Sequence, residues 1–373
     1  MKIALIRQRY TPFGGAERFV ANAVRALRAE GASLTVVTRQ WESDGESESL
    51  ICNPPYLGNL WRDWSFARCV CEALKERPFD LVQSHERIAC CDVFRAGDGV
   101  HREWLKQRRR VLGPLGRLGV AANPYHRYIL AAEKKLFRSP GLKAVICNSR
   151  MVKEEIQHYF GLAEEKLHVI YSGVNLEAFH PGLKERHGSK MRAQYDIPEN
   201  ALLFLFVGSG FQRKGLRGLL QAMARLPASS HLMVVGKDKH LARYREQAKS
   251  LGLAGRVHFA RGQADPGPFY GAADAFVLPT LYDPFPNTAL EAFACGLPVI
   301  TSSKSGAAEL VREGENGFVC DALDSGCLAS AMARLADRAT RSRLGAAARE
   351  TVAHLAPENM ARQLLDLYRS LIQ

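Results

Sequence analysis

Two carboxylates eight residues apart carry the sharpest chemical signal in the chain, in Asp283-Pro284-Phe285-Pro286-Asn287-Thr288-Ala289-Leu290-Glu291. Pro286 suits the first turn of a helix, where its missing N–H costs nothing, and Gly296 with Pro298 supplies a stop. A short helix is therefore expected to begin inside the segment. The N–H groups at its start have no partners within the helix, so a phosphate or a polarised hydroxyl can sit against them, beside Asp283. Glu291 leans back toward the same end because helical side chains tilt toward the N-terminus. The axial rise from Pro286 to Glu291 is roughly 8 Å, comparable with a sugar diphosphate, so one carboxylate can hold each end of such a ligand. The plainer alternative is a solvated helix start with an acidic cap.

Two further loops suit phosphate. Thr11-Pro12-Phe13-Gly14-Gly15-Ala16-Glu17 follows the first apolar run, and its paired glycines let backbone approach a ligand at a helix start. A structural turn explains that pair almost as well. Gly208-Ser209-Gly210-Phe211-Gln212-Arg213-Lys214-Gly215 again lies between a strand and a helix. Adjacent Arg213 and Lys214 can neutralise a diphosphate there, one as a planar fork and one as a point charge. The loop has neither the Walker nor the G-x-G-x-x-G spacing, which argues against a nucleoside triphosphatase or a nicotinamide enzyme.

The elements that must position these loops follow from apolar periodicity. In the first half, strands at Lys2–Arg7, Ser33–Thr38, Asp80–Gln83 and Lys143–Cys147 alternate with helices at Ala16–Arg28, at Trp64–Glu76 and one capped by Asn148 or Ser149 that runs to about Phe160. In the second, strands at Leu202–Val207, His231–Val235, Val257–Phe259, Ala275–Leu278, Val299–Thr301 and Phe318–Cys320 alternate with helices that include Leu216–Leu226 and His240–Leu251. Such alternation is the mark of parallel sheets covered on both faces, giving an α/β protein of two doubly wound units. At 373 residues, two domains are the natural expectation. The polar stretch from Ser172-Gly173 to Pro181-Gly182 reads as the hinge, which divides the chain into 1–172 and 173–356. The segment 357–373 has helical spacing at Met360, Leu364, Leu365, Leu367, Leu371 and Ile372.

Composition is that of a globular protein, 47% apolar, without a run of the ~18 apolar residues that a membrane span needs. The opening residues break too early for a secretory signal, so a cytoplasmic protein is expected. Nine cysteines form no C-x-x-C pair and no group with zinc spacing, so buried reduced thiols and no bound metal are expected. The net charge of +13 is concentrated: between Arg102 and Lys143 eleven Lys or Arg stand against Glu103 and Glu133, which places +9 of it in that window. Trp104, Leu105, Val111, Leu112, Leu115, Leu118, Tyr125, Tyr128, Ile129, Leu136 and Phe137 are interleaved with the cations. This mixture of anchors and basic side chains suits an anionic membrane surface. No nucleic-acid-reading motif accompanies it, so nucleic acid is not the expected partner, and a solvated face is the plain alternative.

Taken in order, Phe13-Gly14-Gly15-Ala16-Glu17-Arg18, the Gly208–Gly215 loop, Asp283 to Pro298, and Ser305-Gly306-Ala307-Ala308-Glu309-Leu310 with Asn316-Gly317 resemble the retaining GT-B glycosyltransferases of family 4. Gly14-Gly15, Trp41-Glu42, Asp92 to Asp98 and the basic window most resemble the lipopolysaccharide-core glucosyltransferases within it. The resemblance spans nearly the whole chain. It implies two facing Rossmann-like domains with a deep interdomain cleft, the helix 357–373 packing back on the first domain. It implies transfer of a hexose, most simply glucose from UDP-glucose, with retention, onto an inner-core heptose. The protein would be cytoplasmic and peripheral on the inner face of the cytoplasmic membrane.

Residue by residue, the resemblance implies that Arg213 and Lys214 hold the donor diphosphate, Glu291 the ribose and Asp283 the transferred sugar. Gly14 and Gly15 would pack against phosphate and sugar, and Gly262-Gln263 near the base. Asp98 would face the acceptor, where it can orient or deprotonate the hydroxyl, with His101 as the other candidate. Asp283 stands where the family usually has Glu, and Pro284 and Pro286 leave Phe285, Asn287 and Thr288 as the backbone donors. No cofactor beyond the donor is expected, and the chain contains no D-x-D sequence. Other readings are a family 4 transferase with another nucleotide sugar or another lipid-linked or polysaccharide acceptor, and a GT-B sugar-nucleotide epimerase.

Overall fold

The computed structural model describes residues 1–10, 31, 33–41 and 48–372. The expected helix Ala16–Arg28 and the Gly14-Gly15 pair lie outside the described residues. Two compact units are present: unit 1 comprises Met1–Gly173 with Pro357–Gln373, and unit 2 comprises Val174–Ala356.

Unit 1 is built on β1 (Lys2–Ile6), β3 (Ser33–Thr38), β5 (Glu48–Ile51), β6 (Leu81–Ser84), β7 (Val93–Arg95), β8 (Ala144–Cys147) and β9 (Leu167–Val169). They form one sheet in the order β5-β3-β1-β6-β7-β8-β9, and every pairing is parallel. A separate parallel pair joins β2 (Arg9–Tyr10) to β4 (Gln40–Trp41). Burial explains why these segments are strands. Ile3, Ala4, Leu5 and Ile6 have almost no exposure, as do Ala144 through Cys147, so successive side chains are covered on both faces of the sheet. The helix Pro357–Ile372 supplies part of that cover. Its Met360, Leu364, Leu365, Leu367 and Tyr368 form one core cluster with Ile3, Leu5, Leu34, Leu81, Val93, Ala144 and Ile146.

Unit 2 repeats the scheme with β10 (Leu202–Val207), β11 (Ser230–Val235), β12 (Val257–Ala260), β13 (Ala275–Leu278), β14 (Val299–Ser302) and β15 (Gly317–Cys320). The order is β12-β11-β10-β13-β14-β15, all parallel. Each sheet starts centrally, runs outward to one edge, then returns and runs to the other, so the order reverses between β1 and β6 and again between β10 and β13. In doubly wound sheets, ligands bind at the carboxyl ends of the strands flanking that reversal.

Two expectations are corrected and two features are added. The stretch read as the hinge runs directly into a helix, Leu183–Gln194, that the periodicity did not give, and the basic window is folded into three helices, His101–Arg109, Pro114–Ala122 and Pro124–Phe137. Several intended membrane anchors are core residues: Leu105, Ile129, Leu136 and Phe137 are buried, whereas Leu115 and Leu118 are 86% and 66% exposed. The window's basic side chains other than Arg108 are all exposed. Finally, the cysteines are not all reduced. Cys71 is joined to Cys90 and Cys320 to Cys327, pairs whose Cα atoms the fold brings to 5.8 and 5.9 Å.

Candidate functional site

The chemistry-bearing loops of unit 2 leave adjacent strands at its order reversal, residues 208–215 after β10 and residues 279–286 after β13. They are locked to each other through backbone. Leu281 N–H donates to the Arg213 carbonyl (2.8 Å), Thr280 Oγ1 donates to the same oxygen (3.0 Å), and the Arg213 guanidinium reaches the Tyr282 carbonyl at 3.5 Å. Gly215 has a φ of +78°, and a Cβ there would stand 1.8 Å from the Pro279 carbonyl oxygen, so only glycine lets the loops approach this closely. Phe211 anchors the first loop from below: its ring is fully buried and its N–H donates to Asp238 at 2.7 Å.

This arrangement sets Lys214 against Asp283. The ammonium and the carboxylate form an ion pair whose side chains are 10% and 8% exposed. Burial pulls the Lys214 pKa below the ordinary lysine value; Asp283 opposes that shift and Arg213 adds to it. Asp283 is held by its own backbone as well, donating to the Lys304 carbonyl (2.9 Å) and accepting from Gly306 N–H (2.8 Å). The helix that follows is Asn287–Ala294, with Pro286 at its N-cap instead of its first turn. Either position spares the proline an intrahelical donor role. Thr288 Oγ1, in the first turn of that helix, and Ser305 Oγ, whose backbone bridges that of Asp283, are buried without a hydrogen-bond partner. Such hydroxyls each cost about 1–3 kcal/mol until something satisfies them.

Glu291 is 3% exposed, and its Oε2 lies 2.8 Å from the Tyr270 hydroxyl, which is also 3.0 Å from the Thr288 carbonyl oxygen. Tyr270 thus ties the second carboxylate to the first turn of the helix. Sequence reasoning missed it, since the only signal is one tyrosine in a short apolar segment. Gly262 and Gln263 lie in the loop after β12, where the Lys237 side chain covers Gly262 closely enough that a Cβ would meet it at 2.7 Å. The Gln263 amide donates to the Arg261 carbonyl at 3.1 Å. Among the described residues no group of three or more His, Cys, Asp or Glu is placed to hold a metal ion.

Asp98 belongs to unit 1. It is 70% exposed, 3.9 Å from Arg87, and lines a pocket of about 290 Å³ that sits at the reversal between β1 and β6. Arg7, Arg9, Asp63, Glu86 and Arg87 share the lining. Asp63 accepts from the Tyr125 hydroxyl (2.9 Å) and the Gln8 amide (3.0 Å), and Glu86 accepts from Gln8 N–H (3.0 Å). Burial raises the Glu86 pKa, with Arg7 opposing. Apart from Asp98, none of these residues stands out in the sequence, because they are scattered along it and only strand order collects them. The pocket therefore offers donors and acceptors for several hydroxyls around one exposed carboxylate.

His101 is not equipped to act as a base. Its Nε2 lies 3.1 Å from His126 Nδ1, and the other nitrogen of His126 faces Arg108 at 3.2 Å. Burial, then the charges of Arg87 and its neighbours, push the His101 pKa down to about 3. His258, stacked on His231, is pushed down to about 4, again mainly by burial. The unfolded chain binds protons at these positions near pH 6.5 while the folded protein does not, so their contribution is present above that pH and is lost as pH falls through the window toward 4 and 3. We expect urea-unfolding stability to fall by about 1.4 kcal/mol per pH unit below 6.5 on account of His101 alone. His101→Phe should flatten that slope, and an unchanged slope would remove the assignment.

The family model for glycosyl transferases group 1 matches residues 189–351, and that for glycosyltransferase family 4 matches residues 13–178. The chain is 28% identical over 326 residues to lipopolysaccharide glucosyltransferase WaaG of Escherichia coli K12, covering 86% of this chain and 85% of that one. Similarity to the lipopolysaccharide core biosynthesis glycosyltransferase LpsE of Rhizobium meliloti is 28% over 345 residues and 91% of both chains. A D-inositol 3-phosphate glycosyltransferase of Nocardioides sp. is 30% identical over 401 aligned positions, 95% of this chain and 85% of the relative. The crystal structure of WaaG superposes with a TM-score of 0.84 at 25% identity, covering 98% of this chain and 99% of that one.

Proposed function

Because this chain belongs to the glycosyltransferases of group 1 and family 4, with the GT-B fold, we propose that it transfers glucose from UDP-glucose, with retention, to an inner-core heptose of lipopolysaccharide. The observation that carries the reading is the buried Lys214–Asp283 pair at the reversal between β10 and β13. Breakage of the donor's glycosidic bond places negative charge on the departing diphosphate, and preorganised cations stabilise it with little reorganisation. Lys214 and Arg213 supply that charge. The backbone N–H groups of Phe285, Asn287 and Thr288 are the accompanying dipoles.

An arriving diphosphate takes over Lys214, and Asp283 is then released to accept hydroxyls of the transferred sugar. Glu291 accepts from the ribose, and Gly262-Gln263 sit by the base. Asp98 orients or deprotonates the acceptor hydroxyl. With cationic side chains in this role the reaction needs no metal. The names of the WaaG and LpsE relatives, both lipopolysaccharide enzymes, favour the acceptor. The inositol-phosphate relative favours a second reading, in which the same donor site serves another acceptor or another nucleotide sugar.

The reading includes attachment to the inner face of the cytoplasmic membrane, supported by the exposed cations of residues 102–143 and the exposed Leu115 and Leu118 beside them. Each basic residue near an anionic leaflet contributes about 1 kcal/mol. No described helix is long and apolar enough to cross a membrane.

Calorimetric screening against a panel of nucleotide sugars, then mass spectrometry of a truncated core acceptor, tests the reading. We expect UDP-glucose to bind best and one hexose to be added. Binding of a different donor, or epimerised donor without acceptor, would replace it. Tyr270→Phe should raise the donor KM about tenfold with little change in kcat, since one hydrogen bond to a charged group is worth about 1.5–3 kcal/mol. If the variant keeps full discrimination against 2′,3′-dideoxy-UDP, Tyr270 does not position the ribose carboxylate.

A further inference from the structure

The Asp98 pocket of unit 1 does not end at Arg87. Behind it runs a groove of about 840 Å³ between the helices Gly58–Glu76 and Pro124–Phe137, and Ala67, Arg87, Ile88, Tyr128 and Ala132 line both spaces. The two ends differ sharply in chemistry. The pocket is walled by Arg and carboxylate side chains, whereas the groove is floored by Ile88, Ala89, Ala131 and the Cys71–Cys90 disulfide, with Trp64 on its edge. Arg68, Lys75, Arg87, Lys135 and Arg138 also line the groove, and the single carboxylate among its lining residues is Glu72, already paired with Arg68 at 3.1 Å. Arg87 stands between the spaces, bound to Glu133 at 2.8 Å and to the Gly99 carbonyl at 3.3 Å.

An apolar trough with surplus positive charge fits an acyl chain that carries an anionic head. Its continuity with a hydroxyl-binding pocket fits a molecule that has sugar at one end and lipid at the other. We propose that unit 1 holds a two-part site for a lipid-linked acceptor. The sugar lies in the Asp98 pocket, the anionic group lies against Lys75, Lys135 and Arg138, and part of the acyl region lies along Ala131 and the disulfide. The proposal rests on the transferase reading and adds the acceptor's second binding element, a discrete groove distinct from general attraction to a charged leaflet.

Ala131→Trp, at an exposed position of its helix, fills the trough, and Lys135→Glu with Arg138→Glu reverses its charge. The full-length protein is titrated with dihexanoyl phosphatidylglycerol below its micelle concentration, with dihexanoyl phosphatidylcholine and with glycerol phosphate, following the heat of binding. Tenfold or tighter preference for phosphatidylglycerol over both others, lost in both variants, supports the groove. Equal binding of all three probes, or wild-type binding by the Ala131→Trp variant, overturns it.

In transfer assays both variants should lose at least tenfold of the preference, as kcat/KM, for an acylated acceptor over its deacylated form. An unchanged preference overturns the proposal. Should no lipopolysaccharide acceptor be glycosylated while lipid binding behaves as expected, the acceptor named above is wrong and the groove stands.

Discussion

Lys214→Met should abolish transfer, lowering kcat/KM by at least a thousandfold, and should also destabilise unit 2. The two effects have separable causes. The pair with Asp283 is nearly shut off from water, so removing the ammonium leaves a buried carboxylate without its charge partner. Breaking such a pair costs about 3–5 kcal/mol. The catalytic loss arises instead from the missing cation beside the leaving diphosphate, the kind of preorganised contact whose removal costs about 3–4 kcal/mol or more.

A double variant separates them. Lys214→Met with Asp283→Leu should recover most of the stability, because no charge is left buried, and should recover none of the activity. Asp283→Asn is the complementary case. It leaves Lys214 available to phosphate, so UDP affinity should hold or increase while transfer falls at least a hundredfold. The decisive readings are urea-unfolding curves and UDP calorimetry. UDP affinity of Lys214→Met within threefold of wild type would show that Lys214 does not hold the diphosphate.

Deleting residues 357–373 should unfold unit 1 and spare unit 2. The helix buries Met360, Leu364, Leu365, Leu367 and Tyr368 against β1, β3, β6, β7 and β8. At about 1.5–3 kcal/mol for each buried side chain of this size, the loss is roughly 8–15 kcal/mol, as large as the whole stability of a typical domain. Tyr368→Phe is the milder probe, since the Tyr368 hydroxyl donates to Gln83 Oε1 in a buried contact. It should cost about 1–3 kcal/mol by leaving that oxygen unpaired. Calorimetry and amide exchange of the deletion variant should report one folded unit formed by Val174–Ala356. Protection of β1 and β8 at wild-type levels would contradict the contribution assigned to the helix.

How legible each feature is in the sequence depends on its physical origin. Runs such as Leu202–Val207 and Ala275–Leu278 read directly as strands because burial on both faces demands continuous apolar residues. The loops with Lys214 and Asp283 are legible because glycine, proline and charge crowd into short windows. The helix Leu183–Gln194 is not, and the reason is specific. It packs on the helix Gly267–Ala272 through backbone: a Cβ on Gly271 would come 2.3 Å from the Leu183 carbonyl oxygen, and one on Gly188 would come 3.2 Å from the Gly271 carbonyl oxygen. Two glycines in close approach leave no apolar stripe to read, and the helix's exposed residues are mostly charged or polar.

The unit 1 pocket is hidden for another reason. Arg7, Asp63, Glu86 and Asp98 have no spacing relationship, and only the order of strands brings them to one place. In the basic window, charge is visible in the sequence but depth is not, so Leu105 and Leu115 look alike there although one is buried and the other 86% exposed.

The return of the Pro357–Ile372 helix to unit 1 also dictates an order of events on the ribosome. Val174–Ala356 is synthesised whole before the helix that completes the earlier unit exists. At about 5–20 residues per second, roughly 10–40 s separate the emergence of Gly173 from that of the helix. During that interval the apolar side chains of β1, β6 and β8 that this helix covers lack that partner, so the earlier-made of the two units is the later to become native.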